Sequence, residues 1–215
     1  MAGEKEIEQT LKLQVHNGEF NKIIKGEYPE NYIITEKSLV DQYQCSKAPV
    51  REALIQLCSE GMLVCIPRCG YQLKPVTAQE LEDEVETRLM LELGCFSRTF
   101  GTITPGQMKL LKDHVAVSSK LAAQHEVTDH WFRNVEFHLM LCSFARNNLA
   151  YRYLDQTLKF CSRAAYQYYK LNWDDNRATD ASMHQQLIDD IESRNKKKAQ
   201  DTLKQDILSF REIIR

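Results

Sequence analysis

Two groups of residues in this 215-residue chain have types and spacing that suit chemistry. The first lies late in the chain. Asn134 and His138 stand one helical turn apart, in the same stripe as Trp131, Val135, Leu139 and Cys142. His184 shares a face with Leu187, Ile188 and Ile191, and Asp206 shares one with Leu203, Ile207, Phe210 and Ile214. Arg88 and Glu92 sit likewise beside Leu81, Val85, Leu89 and Phe96. Polar groups on apolar faces must find partners inside the protein. Taken singly, each has a plain reading: a satisfied core histidine, or an i,i+4 ion pair within a bundle. Taken together, an amide, two imidazoles and a carboxylate on three inward faces form a pocket for a cation or an anion, because their nitrogens and oxygens ligate divalent metals.

The second group lies between Thr35 and Gly70. A helix opening on Ser46-Lys47-Ala48-Pro49-Val50-Arg51 presents a hydroxyl and free N–H groups, which suit a phosphate oxygen. Lys47 and Arg51 are one turn apart and project from one side, and an arginine can grip guanine O6 and N7 in a fork. Lys37 on the preceding helix can hold the sugar-phosphate backbone, and Arg68 at a hairpin tip can reach a groove or a phosphate. The competing reading is a small helical domain with a solvated basic edge.

The elements that must position these groups follow from local signals. Helices are expected over 11–24, from Thr35 to about Tyr43, and from Ser46 to Gly61, with Ser46 and Thr35 as caps and Pro49 in a first turn. Met62–Ile66 and Tyr71–Lys74 alternate like strands around Pro67-Arg68-Cys69-Gly70. Three helices and a hairpin make a winged helix-turn-helix. After a break near Lys74-Pro75-Val76 the pattern is helical. Thr77/Glu80 and Thr104/Gln107 read as capping boxes. Helices are expected from Thr77 to about Phe100 and over 105–125, 129–145, 148–171, 180–193 and 196–214. The expected fold is mainly α: a winged helix-turn-helix DNA-binding domain over 1–75 and an antiparallel all-helical bundle over 76–215, the latter binding an effector and forming the dimer.

The run from Glu36 to Leu73 closely resembles the GntR family of bacterial transcription regulators. It carries Ser46, Pro49, Val50, Arg51, Glu52, Ala53 and Leu54, then Leu57, Glu60, Gly61 and Met62, then Pro67 and Gly70. It departs from the family pattern at Lys47, where Arg is usual, and at Ala48, where Thr is common; Lys47 keeps the charge without the fork. The resemblance implies DNA contacts at Lys37, Ser46, Lys47, Ala48, Arg51, Arg68 and Gly70. The second half resembles the FadR-type C-terminal domain (FCD), through "RLMLE" at Arg88–Glu92, "NVEFH" at Asn134–His138, Asn147-Asn148 and the run from Met183 to Ala199. That resemblance implies a divalent metal of the Zn, Ni or Mn class held by Asn134, His138, His184 and Asp206. Asn134 and Asp206 are substitutions relative to the usual Asp and His. It also implies a small carboxylate effector near Arg88, Asn134, His138 and His184.

Composition sharpens this. Lys plus Arg number 28 and Asp plus Glu 30, so the formal charge is -2 and no overall basic coat exists. Residues 1–75 carry 9 basic and 10 acidic side chains, so a DNA-facing surface must come from placement. No export signal or apolar span is read, and the seven cysteines are expected to be reduced thiols in the cytoplasm, with Cys65 and Cys69 as a weak candidate metal or redox pair. The leading reading is a dimeric, metabolite-responsive regulator, most often a repressor in such families, bound to an inverted-repeat operator. The rivals are a metal-dependent enzyme built on the bundle and a winged-helix protein-interaction module. Against an enzyme, His125-Glu126-Val127-Thr128-Asp129-His130 is too long for HExxH, and no phosphate loop occurs.

Overall fold

The computed structural model describes residues 2–29, 31–122, 127–172 and 179–213. The chain divides into two compact units, Met1–Val76 and Thr77–Arg215.

In the first unit, α1 spans Ala2–Ile24, α2 Glu36–Tyr43 and α3 Lys47–Ser59. Helix α1 starts well before the expected residue 11. The Ala, Glu, Lys and Gln of its first turns carry no apolar stripe, yet they are strong helix formers. Strands β1 (Ile33–Ile34), β2 (Leu63–Ile66) and β3 (Gly70–Leu73) make one antiparallel sheet in the order β1-β3-β2. The expected hairpin is present, with Gly70 inside the second strand and Lys74 outside it. Strand β1 was not anticipated: two residues are too few to show alternation. Thr35 caps α2 as expected, accepting from the Ser38 amide at 3.1 Å. Ser46 occupies the N-cap of α3, but its side chain makes no capping hydrogen bond, contrary to expectation.

Burial explains how α3 is held. Pro49, Val50, Ala53, Leu54 and Leu57 turn α3 inward against Val15 and Ile23 of α1, Leu39 of α2, Leu63 and Tyr71 of the sheet, and Met62, which was expected in the first hairpin strand and lies just before it. The opposite face of α3 stays in water. At the hairpin turn Gly70 has φ +140, and a Cβ there would lie 2.5 Å from the Ile34 carbonyl oxygen. Only glycine lets β3 approach β1 at that point.

In the second unit, α4 (Ala78–Thr99), α5 (Pro105–Ala122), α6 (Val127–Ser143), α7 (Asn148–Asn172), α8 (Thr179–Glu192) and α9 (Lys196–Ser209) follow in order. Short 3-10 turns occupy Phe100–Thr102 and Phe210–Ile213, so the last helix stops before the expected 214. Both predicted capping boxes form: the Glu80 amide donates to Thr77 Oγ1 at 3.1 Å, and the Gln107 amide to Thr104 Oγ1 at 3.2 Å. Neighbouring helices close a ring, α4–α7–α6–α5–α8–α9 and back to α4, and α6 also touches α4 and α8. Helix α6 therefore has partners on several sides, which is why its polar residues end up inside. Ile214, the end of the expected 105–125 helix, and His125-Glu126 lie outside the described residues.

Candidate functional site

Helices of the ring each bring polar side chains to one place: Arg88 and Glu92 from α4, Asn134 and His138 from α6, His184 from α8 and Asp206 from α9. All six are buried. Arg88 Nε donates to Glu92 Oε1 at 2.8 Å, and Glu92 Oε2 lies 2.5 Å from His138 Nδ1. A carboxylate can only accept, so His138 Nδ1 donates this bond and the ring turns Nε2 the other way. There, Asp206 Oδ2 lies 3.3 Å from His138 Nε2 and 3.3 Å from His184 Nε2. Neither approach is a hydrogen bond: Asp206 Oδ2 and His184 Nε2 are buried with no hydrogen-bond partner, as is Arg88 Nη2. The His184 ring is held by stacking on Phe137, with centroids 3.8 Å apart.

This donor set fits a divalent metal. Ligand atoms from His138, His184 and Asp206 lie within 4.8 Å of one another. Ligands about 2.0–2.2 Å from an ion stand about 3.0 Å apart in octahedral and about 3.4 Å apart in tetrahedral geometry. The observed 3.3 Å separations fall in that interval. A buried carboxylate oxygen and imidazole nitrogen without partners would be costly in an empty protein, and a cation relieves both. Burial alone would push the Glu92 carboxyl up; the neighbouring His138 and Arg88, each hydrogen-bonded to it, overcome this and hold it below the usual carboxylate range. Glu92 thus stays an anion able to fix His138.

Arg88, Trp131, Asn134, His138, Asp206, Ser209 and Phe210 line a cavity of about 10 Å³. That is room for one ion or one water. It is too small for a carboxylate metabolite unless its walls move. Phe210, in the last 3-10 turn, packs on Trp131 with ring centroids 5.2 Å apart, and Arg211 pairs with Glu82 at 2.6 Å.

In the first unit, Lys37, Ser46, Lys47, Ala48, Arg51 and Arg68 are all exposed, and Gly70 is half-buried. Arg68 sits at the hairpin turn with φ 65. Arg51 does not stand alone. Its Nε donates to Glu36 Oε1 at 2.7 Å and its Nη2 to Glu36 Oε2 at 3.1 Å. Those hydrogen bonds hold the Glu36 carboxyl below its ordinary range. Cys65 and Cys69 are free exposed thiols at the hairpin; they belong to no cluster of metal-ligand geometry among the described residues.

Three features escape sequence reasoning. The Glu92–His138 bond joins residues 46 apart, and the Arg51–Glu36 pair residues 15 apart, so no helical spacing announces either. Glu19 is fully buried, accepting from Lys22 at 2.9 Å, Tyr43 at 2.9 Å and Gln42 at 3.2 Å, and from Tyr28. Its only signal was an acid within the apolar phase of α1.

Comparison with known proteins agrees with this architecture. Residues 4–72 match the description "Bacterial regulatory proteins, gntR family", and residues 83–208 match the FCD domain. The chain is 24% identical over 190 residues to an uncharacterized HTH-type transcriptional regulator, YdhC, of Bacillus subtilis, covering 87% of this chain and 83% of that protein. It is 29% identical over 121 residues to the gluconate operon transcriptional repressor of the same organism, covering 54% of this chain and 48% of that one. Among solved structures, McbR/YncC of E. coli shares the fold with a TM-score of 0.80 at 18% identity, covering 93% of this chain and 94% of that one. With one domain matched on each side of residue 76, the chain belongs to the GntR family of bacterial transcription regulators, in the group that carries an FCD domain, and not to a family of enzymes.

Proposed function

We propose that this regulator is a metabolite-responsive repressor that binds an inverted-repeat operator as a homodimer in the cytoplasm. The 1–76 unit binds DNA through Lys37, Ser46, Lys47, Ala48, Arg51, Arg68 and Gly70. The 77–215 unit holds a divalent metal of the Zn, Ni or Mn class through His138, His184 and Asp206, with the Asn134 amide as a fourth ligand. Two imidazoles and two oxygens form a borderline donor set that suits these ions. The observation that carries the reading is the buried His138–His184–Asp206 cluster, backed by Glu92 and faced by the spare Nη2 of Arg88.

A bound ion supplies positive charge for a carboxylate effector, and Arg88 supplies a second cationic partner for it. The space beside the cluster is about 10 Å³, so an effector larger than an ion seats there by moving the side chains that line it. It therefore binds one arrangement better than another, which is the requirement for changing DNA affinity.

The test has two arms. Elemental analysis of the purified protein is expected to find a divalent ion in wild type and to find it depleted in His138→Ala. No metal in either protein would reduce the site to an effector pocket. DNA retention by the wild type is expected to fall steeply with salt and to be lost in Arg51→Ala. Equal retention by both proteins would remove α3 from the reading role.

A further inference from the structure

The Arg51 guanidinium is gripped by Glu36 along one edge, through Nε and Nη2. An arginine has two edges able to make paired hydrogen bonds. The pair with Glu36 consumes the side edge and leaves the end edge, Nη1 with the second hydrogen of Nη2, uncommitted by this contact. Glu36 opens α2 and Arg51 lies in the second turn of α3, so the pair bridges the two helices on the solvent side. Both backbones are anchored by buried neighbours, Leu39 on α2 and Val50, Ala53 and Leu54 on α3.

We infer that Glu36 is a specificity-determining positioning residue: it buttresses Arg51 so that the free edge of the guanidinium meets guanine O6 and N7 in a fixed orientation. This deepens, and rests on, the DNA-binding reading above. An unsupported arginine has several rotatable bonds and reaches phosphate, thymine O4 or guanine nearly alike. A planar fork held by a carboxylate can satisfy two hydrogen bonds only where two acceptors lie side by side, as on guanine. The same carboxylate repels phosphate, so the pair lowers sequence-independent attraction as it raises discrimination. This also gives a reason for an acidic side chain on a surface meant for a polyanion. Lys47, which lacks a fork, cannot substitute for Arg51 in this role.

The experiment uses the full chain and a pool of duplexes with a randomised core. Wild type is expected to enrich a motif containing an invariant guanine that Arg51→Ala no longer selects. Glu36→Gln keeps the length and helix propensity and loses the charge. It is expected to lower the preference for that guanine about tenfold. Its retention on unselected duplex should be equal to or greater than that of wild type. A merely structural Glu36 would weaken binding to all duplexes alike and leave the base preference intact. If wild type enriches a motif and Glu36→Gln selects the same guanine as strongly, the buttress is overturned while the regulator reading stands. If wild type enriches nothing, the regulator reading falls and the buttress falls with it.

Discussion

The two units place their polar chemistry in opposite surroundings. In the first, Arg51 and Glu36 meet in water, with the Arg51 side chain 60% exposed. In the second, Arg88 and Glu92 make the same kind of bond at 2.8 Å with both side chains 2% exposed. An exposed pair is screened and contributes little to stability, so its use lies in orientation. A buried pair is held by its partners because losing one leaves a charge in a poor dielectric. One pair can therefore be changed to alter recognition without harming the fold. The other cannot be changed without harming it.

The largest expected effect breaks the buried side of this comparison. Glu92→Ala strands the Arg88 guanidinium and removes the acceptor at His138 Nδ1. It should destabilise the helical unit by about 3–5 kcal/mol. Both tryptophans, Trp131 and Trp173, lie within 77–215, so the urea midpoint of tryptophan fluorescence reports this unit. Arg51→Ala, the exposed counterpart, should leave stability within about 0.5 kcal/mol of wild type. A small shift for Glu92→Ala would show that the buried cluster relaxes or hydrates freely, and the contrast between the units would collapse.

Next in size is the apolar support of the exposed site. Leu54 is fully buried beneath the exposed face of α3. Leu54→Ala should cost about 2–5 kcal/mol, read as faster amide hydrogen exchange along α3 and the β2–β3 hairpin. Gly70→Ala should act through the backbone at about 1–3 kcal/mol. A Cβ would press on the Ile34 carbonyl and part β3 from β1. Retention of β1–β3 protection in Gly70→Ala would show that the hairpin yields without loss.

How far the sequence revealed all this follows from the range of each interaction. Caps at Thr35, Thr77 and Thr104 involve groups three residues apart, and all three form. Helical phase placed Asn134, His138, His184 and Asp206 inward, and all are buried. Phase reports which way a side chain faces within its own helix, so it identified these members of the cluster. It does not report what the neighbouring helix presents. Hence Glu92 read as a partner for Arg88 alone, and its second oxygen, on His138, went unseen. The pairing of Glu36 with Arg51 was missed for the same reason: the turn between α2 and α3 decides it. Strand β1 exists only because β3 offers it a register, Ile33 opposite Gln72 and Ile34 opposite Tyr71.

The smallest expected effect tests whether a buried carboxylate of the helical unit behaves as such when it lies away from the cluster. Asp190 on α8 is 1% exposed. It accepts from Gln186 at 2.9 Å, from Lys198 at 2.8 Å and from Thr202 at 2.7 Å. Burial alone would raise its carboxyl; the hydrogen bonds from Lys198, Thr202 and Gln186 outweigh that and lower it. The folded protein therefore binds this proton less readily than the unfolded chain. The resulting stability is fully present above the unfolded value of about 3.9 and is lost as pH falls through the lower, folded value. Asp190→Asn keeps one acceptor oxygen and cannot titrate. It should be less stable than wild type by about 1–2 kcal/mol at pH 7. Tryptophan-monitored urea midpoints of the two proteins should converge as pH is lowered below about 4. A gap that stays constant down to pH 3 would mean that the carboxylate charge contributes nothing and that geometry alone ties α8 to α9.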